Sequence, residues 1–247
     1  MGNCFKADII RLHRKPSMIV FMCVQIFLFV ALIIVVKMLA DSSDGKGLTP
    51  DIAGGAGAAG LFIGIPAYLA AIKDDFKSRT MQVAVGFGVP RSQMVICRFL
   101  EICMLFVEIF VIQTILGSVL GMAFGYDIGN ITEGILEMWI GLIPVISHVA
   151  IALLVVYASM NHTLGLVIYI MLELGIINII FSLTEMIPFL KDSKIDFSQY
   201  WVDGAVVKAM TQAPVQEALS LVIIFAVYVA VPVAVAAILF KKKELDA

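Results

Sequence analysis

Residues 18–39 read MIVFMCVQIFLFVALIIVVKML, an unbroken apolar run interrupted by one glutamine, Gln25, and one cation, Lys37. In a helix rising 1.5 Å per residue, this run is about 33 Å long, which matches the hydrocarbon core of a bilayer. The run is too long for the apolar core of a cleavable signal, and no small-residue cleavage site follows it. The turn-forming stretch SSDGKGLTPD comes next. The whole chain shares this character. Of 247 residues, 61% are hydrophobic and 15% charged, against roughly 45–50% and 25% in soluble domains. A soluble globular enzyme is therefore disfavoured from the outset. The net charge of −2 also disfavours a nucleic-acid binder, which carries a basic excess on one face.

The same length criterion finds five more segments: Ala53–Ile72, Met94–Phe124, Leu136–Met160, Leu164–Leu183 and Ala218–Phe240. The expected fold is thus an all-α integral membrane protein with six transmembrane helices, forming a single transmembrane domain over 1–247. Placing the amino terminus inside puts 12 of the 17 basic residues on the cytoplasmic side and 5 outside. The positive-inside rule then predicts both termini cytoplasmic. Before the first span, FKADIIRLHRKP alternates Phe5, Ile9, Ile10 and Leu12 with Lys6, Arg11, Arg14 and Lys15. That spacing predicts an amphipathic entry helix over 1–16 on the inner leaflet, stopped by Pro16. Residues 184–217 form a long outer connection that stays apolar, with Tyr200 and Trp201 as interfacial anchors. It reads as short interfacial or re-entrant helices interrupted at Pro188 and Pro214.

Chemistry-bearing patterns are few. The cysteines Cys4, Cys23, Cys97 and Cys103 lack zinc-site spacing and lie in no expected outer loop, so they read as small buried hydrophobes. His13, His148 and His162 fall in separate segments without ligand spacing; no metal site, catalytic group or cofactor is expected. A phosphate-cradling loop of the type G-x-x-x-x-G-K-[ST] is absent, so any ATP chemistry must come from another chain. Four ionisable groups fall at membrane depth: Glu101 and Glu108 in the third span, His148 in the fourth and Glu173 in the fifth. A mid-bilayer charge costs at least about 2.5–3.5 kcal/mol, so each needs a partner, a cavity or a proton. Glu101 has Arg98 three residues away; Glu108 has no basic neighbour in sequence. Glu108 and Glu173 are candidates for a translocation path, with a packed polar contact between helices as the plainer reading. Gly57, Gly60 and Gly64 offer the small surface that lets helices approach closely, within the chain or at a subunit interface.

The cytoplasmic segment 73–92, KDDFKSRTMQVAVGFGVPRS, mixes charges with Phe76, Met81, Val83, Val85 and Phe87, and closes on a Gly/Pro turn. An apolar face at helical spacing suits a partner's groove. The block Asp75, Arg79, Gly86, Gly88 and Arg91 ahead of the third span, the basic entry helix, the apolar segment before the sixth span and the tail FKKKELDA together resemble the ABC-2 permeases, the six-span membrane subunits of ATP-binding-cassette exporters. Among these, the chain is more similar to compact bacterial permeases of peptide export and lantibiotic self-protection. The resemblance implies that segment 73–92 is the coupling helix, with Phe76, Lys77, Arg79, Phe87, Val89 and Arg91 meeting a cytoplasmic ATPase subunit. It also implies a second permease copy or related chain, a bacterial cell-membrane location and an amphipathic or apolar cargo, peptides included. The alternative from a different class is an ATP-independent carrier or membrane sensor that uses Glu108 and Glu173 for proton linkage.

Overall fold

A computed structural model describes residues 9–42, 62, 64–73, 76, 84–185, 200–211 and 214–242, and these are helical with no strand among them. After a helical turn at 9–13 come α1 (Pro16–Ser42), α2 (Arg91–Ala123), α3 (Ile128–Ser159), α4 (His162–Glu173), α5 (Ile176–Glu185), α6 (Val202–Thr211), α7 (Pro214–Phe225) and α8 (Val231–Lys242). Wide π-type turns occupy Leu69–Lys73 and Ala226–Ala230, the second joining α7 to α8. Among the described residues, three helical stretches are long and apolar enough to cross a membrane: Pro16–Val35, Ile128–Ser159 and Leu219–Lys242.

The outer surfaces of these helices explain why water is the wrong solvent for them. On α1 the buried positions Met18, Gln25, Phe29 and Ile33 fall on one stripe, whereas Ile19, Val20, Phe27 and Val35 are exposed. The helix at Leu219–Lys242 likewise exposes Leu219, Val222, Ile223, Val227, Val231 and Ile238. Apolar side chains in such continuous bands are unstable in water at roughly 25 cal/mol per Å², and hydrocarbon removes that cost. The chain is accordingly membrane-embedded.

The chain divides into two compact units, Met1–Thr80 with Leu100–Leu142 and Met81–Phe99 with Ile143–Ala247. In the first, Phe106, Phe110, Ile102 and Met138 are fully buried with Tyr68 and Ile72. Trp139 packs edge-on against Phe110 at 5.9 Å and donates its indole N–H to Thr114 Oγ1 at 3.0 Å. In the second, Val145, Val149, Leu153, Val156 and Tyr157 form the buried stripe of α3, and Tyr157 meets Phe240 of α8 at 4.9 Å.

One expected span is broken. The apolar stretch Leu164–Leu183 runs as α4 and α5, not as a single helix. Gly175 adopts φ +67° and its N–H bonds the Leu172 carbonyl at 2.9 Å, closing α4 before α5 begins. Only glycine enters this left-handed conformation without a Cβ penalty. At 12 residues, α4 is about 18 Å long and does not by itself reach across a bilayer. Asn161 starts α4: its side chain accepts the Thr163 and Leu164 amides at 2.9 and 3.2 Å. In the segment 184–217, Val202–Thr211 is a helix that buries Val202 and Val206. Pro214 opens α7, where its missing N–H has no helical partner to lose.

Candidate functional site

Three groupings carry the residues singled out in the sequence. The first is the turn that leads into α2. Residues 84–86 form one helical turn, closed by a pair of bonds: Val89 N–H to Ala84 O at 3.1 Å, and Gly88 N–H to Val85 O at 2.9 Å. Gly88 sits between them at φ +85°. This is the Schellman arrangement, in which a left-handed glycine satisfies the last carbonyls of a helix. Pro90 then precedes α2, and Arg91 is its first residue, half-buried and engaged. The turn leaves Phe87 86% exposed. A phenyl ring fixed on a bonded turn and given no cover is a ready anchor for a partner. Val89 is half-buried. Phe76 is helical, half-buried and engaged; Lys77 and Arg79 lie outside the described residues.

The second grouping holds the entry segment. Leu12 is buried, and His13 reaches Glu108 of α2, Nε2 to Oε2 at 2.8 Å. His13 Nδ1 faces the Ile9 carbonyl at 2.9 Å. With an acceptor opposite each ring nitrogen, the doubly protonated imidazole is the form that serves both contacts. The Ile9 carbonyl chiefly raises the His13 pKa above the usual histidine value; burial opposes the rise, and Glu108 adds to it. Lys15 donates to the Ala70 carbonyl at 2.9 Å, inside the π-type turn Leu69–Lys73. Glu108, which has no basic neighbour in sequence, therefore takes its partner from 95 positions away. Glu101 is fully buried and engaged. Of the small residues, Gly64 is buried, while Gly57 and Gly60 lie outside the described residues.

The third grouping is buried in the second unit. His148 of α3 and Glu173, the last residue of α4, meet at 3.0 Å, Nδ1 to Oε1, with side chains 3% and 4% exposed. On the other edge of the ring, Nε2 lies 3.6 Å from Asp203 Oδ1 in the first turn of α6. Asp203 Oδ2 accepts the Asn178 amide at 2.9 Å and the Trp201 indole N–H at 3.1 Å. The Trp201 ring stacks on the imidazole, with centroids 6.0 Å apart and planes inclined by 16°. Tyr228, in the π-type turn Ala226–Ala230, meets Trp201 edge-on and donates its hydroxyl to the Tyr200 carbonyl. Tyr169, fully buried one helical turn before Glu173, bonds that carboxylate.

The sequence singled out His148 and Glu173 separately and linked Glu108 with Glu173 only in the alternative reading of a proton-linked carrier or sensor. In the fold each of those glutamates is engaged by a histidine of its own unit. Asp203, Asn178, Trp201 and Tyr228 were not selected as site residues. Asp203 and Trp201 lie in 184–217, whose unusual apolar character marked Trp201 as an interfacial anchor and not as a ring over His148; Asn178 and Tyr228, inside the expected fifth and sixth spans, carried no signal. Among the described residues no three His, Cys, Asp or Glu side chains are arranged to hold a metal ion. In the third grouping both nitrogens of the imidazole face carboxylates, a geometry for sharing protons and not for chelation.

No family model, curated protein or solved structure matches this chain.

Proposed function

We propose that this chain is the permease subunit of an ABC-2 type exporter in a bacterial cell membrane. In this reading it crosses six times with both termini inside, and pairs with a second permease copy or a related chain. Cytoplasmic ATPase subunits drive it, and its cargo is amphipathic or apolar, with membrane-active peptides as the leading class. The observation that supports this reading best is the Gly88-closed turn carrying Phe87, 86% exposed, at the head of a 33-residue helix. Energy from ATP enters such a protein only as a difference in ATPase affinity for two conformations. A partner's push must therefore be received by an element that does not itself deform. A turn held by two backbone bonds and continuous with a helix about 50 Å long meets that requirement. The entry segment fits the same reading, since it is held by Leu12, by the His13–Glu108 contact and by Lys15.

The test is purification of the tagged chain in mild detergent from its native host, followed by identification of the proteins recovered with it. An ABC ATPase should be among them, and Phe87→Ala or Arg91→Ala should reduce its recovery without loss of the permease from the membrane. A cysteine placed at position 87 should be labelled only from the cytoplasmic side. Labelling from outside, or full ATPase recovery with both variants, would end the proposal.

A further inference from the structure

The third grouping contains a feature that neither helix packing nor ATPase coupling requires. The His148 ring is clamped between two carboxylates, yet it makes one hydrogen bond. Nδ1 is in bonding distance of Glu173, while Nε2, buried and without a hydrogen-bond partner, points at Asp203 Oδ1 from 3.6 Å. With a single ring proton, on Nδ1, a nitrogen lone pair faces a carboxylate oxygen out of reach of water. An orphaned polar group of this kind is destabilising, because its lost hydration is not replaced. A second proton, on Nε2, turns the same juxtaposition into a charge-assisted hydrogen bond after a shift of under about 1 Å.

We propose that His148, Glu173 and Asp203 form a proton-binding site, loaded from solvent through Asp203. Asp203 is the member of the cluster that reaches the surface: its side chain is 23% exposed, whereas those of His148 and Glu173 are 3% and 4%. A proton from bulk water passes Asp203, comes to rest on His148 Nε2, and breaks no other bond. The positive ring is then shared by Glu173 at Nδ1 and Asp203 at Nε2. The titratable groups around it are these two carboxylates and Tyr169, which bonds Glu173, with Tyr228 beyond the Trp201 ring.

Loading has a mechanical consequence. Asp203 lies in the first turn of α6, and its other oxygen is already held by Asn178 of α5 and by Trp201. A proton on Nε2 adds α3 to that set, so that α3, α4, α5 and α6 are drawn onto one imidazole. Without it, Asp203 is bonded among the described residues to Asn178 of α5 and to the neighbouring Trp201. The break at Gly175 parts Glu173, the last residue of α4, from Asn178 of α5, and both reach the cluster, Glu173 at His148 and Asn178 at Asp203. The site is independent of the ATPase reading and survives its failure.

Trp201 supplies the assay. A protonated imidazole stacked on indole quenches its fluorescence, and the chain's other tryptophan, Trp139, lies in the first unit. Trp139→Phe makes emission report Trp201 alone. In that background, purified in detergent, emission should fall on acidification along a single titration curve. His148→Gln should abolish the fall, and Asp203→Asn should weaken it and shift its midpoint. Amide exchange in residues 202–211 should slow at the acidic end in the parent and not in either variant. A flat emission curve in the folded parent overturns the proposal, as does an undiminished response in His148→Gln. Should His148→Gln fail to fold, Asp203→Asn decides, because an unaltered curve there means that Asp203 takes no part in holding the proton.

Discussion

Gly86 and Gly88 lie two residues apart, and a methyl group added at either would meet nothing within 4 Å. Packing therefore contributes nothing to the difference between them, and only the backbone distinguishes them. Gly88 has φ +85°, where a Cβ crowds the adjacent carbonyl at a cost of about 1–2 kcal/mol. Gly86 is in the helical turn 84–86, where alanine is favoured by about 0.5–1 kcal/mol. Gly88→Ala should accordingly lower the closed-to-open ratio of the turn about 5–30-fold, and Gly86→Ala should leave it unchanged or raise it. Hydrogen exchange of the 88 and 89 amides reads this directly, since those amides make the two closing bonds to Val85 and Ala84. Faster exchange in Gly88→Ala by the stated factor, with no acceleration in Gly86→Ala, is the expected result. If the turn presents Phe87 to an ATPase, recovery of that subunit should fall in Gly88→Ala and hold in Gly86→Ala. Equal exchange in the two variants would refute the assignment of the turn's rigidity to Gly88. Loss of ATPase recovery in both would show that the surface, and not the backbone geometry, is what the partner reads.

Further outcomes follow from the same geometry. His13 has a raised pKa in the folded chain, so its contact with Glu108 contributes fully below the ordinary histidine value and is lost as pH rises through the folded one. The stability gap between the parent and His13→Gln in detergent melts should therefore be larger at pH 6 than at pH 8. Asn161→Ala removes the acceptor for two α4 amides and should destabilise the chain by about 1 kcal/mol, read as a lower melting temperature. Met160 holds φ +56° between α3 and α4 without being glycine. Met160→Gly should raise stability by about 0.5–1 kcal/mol, the relieved strain exceeding the added freedom of the unfolded chain.

Apolar run length read from the sequence places the helices at residues 18–39, 136–160 and 218–240 correctly to within several residues. Bilayer thickness and helical rise are fixed quantities, and a chain in hydrocarbon has no alternative way to bond its backbone. The turn into α2 was legible as well, because Gly-Phe-Gly-Val-Pro contains the left-handed residue and the helix stop that such a turn needs. Apolarity alone did not show the helix break in 164–183, where Gly175 parts what composition joins; a glycine in an apolar run is compatible with either outcome, and the backbone angle decides it.

The partners of the buried charges were not legible at all. Glu108 could be marked as a cost in search of compensation, but nothing in a string of residues indicates that His13, 95 positions earlier, supplies it. His148, Glu173 and Asp203 converge for the same reason: electrostatic energy depends on distance in space, and hydrogen bonds on angle. Separations of 25 and 55 positions along the chain are brought to 3.0 and 3.6 Å only by folding. Composition and periodicity thus established a helical membrane protein and located its costly groups, since solvent transfer acts on each residue by itself. Which of those groups meet, and so where protons can be held, was decided by tertiary structure, because pairing is a property of two positions and not of one.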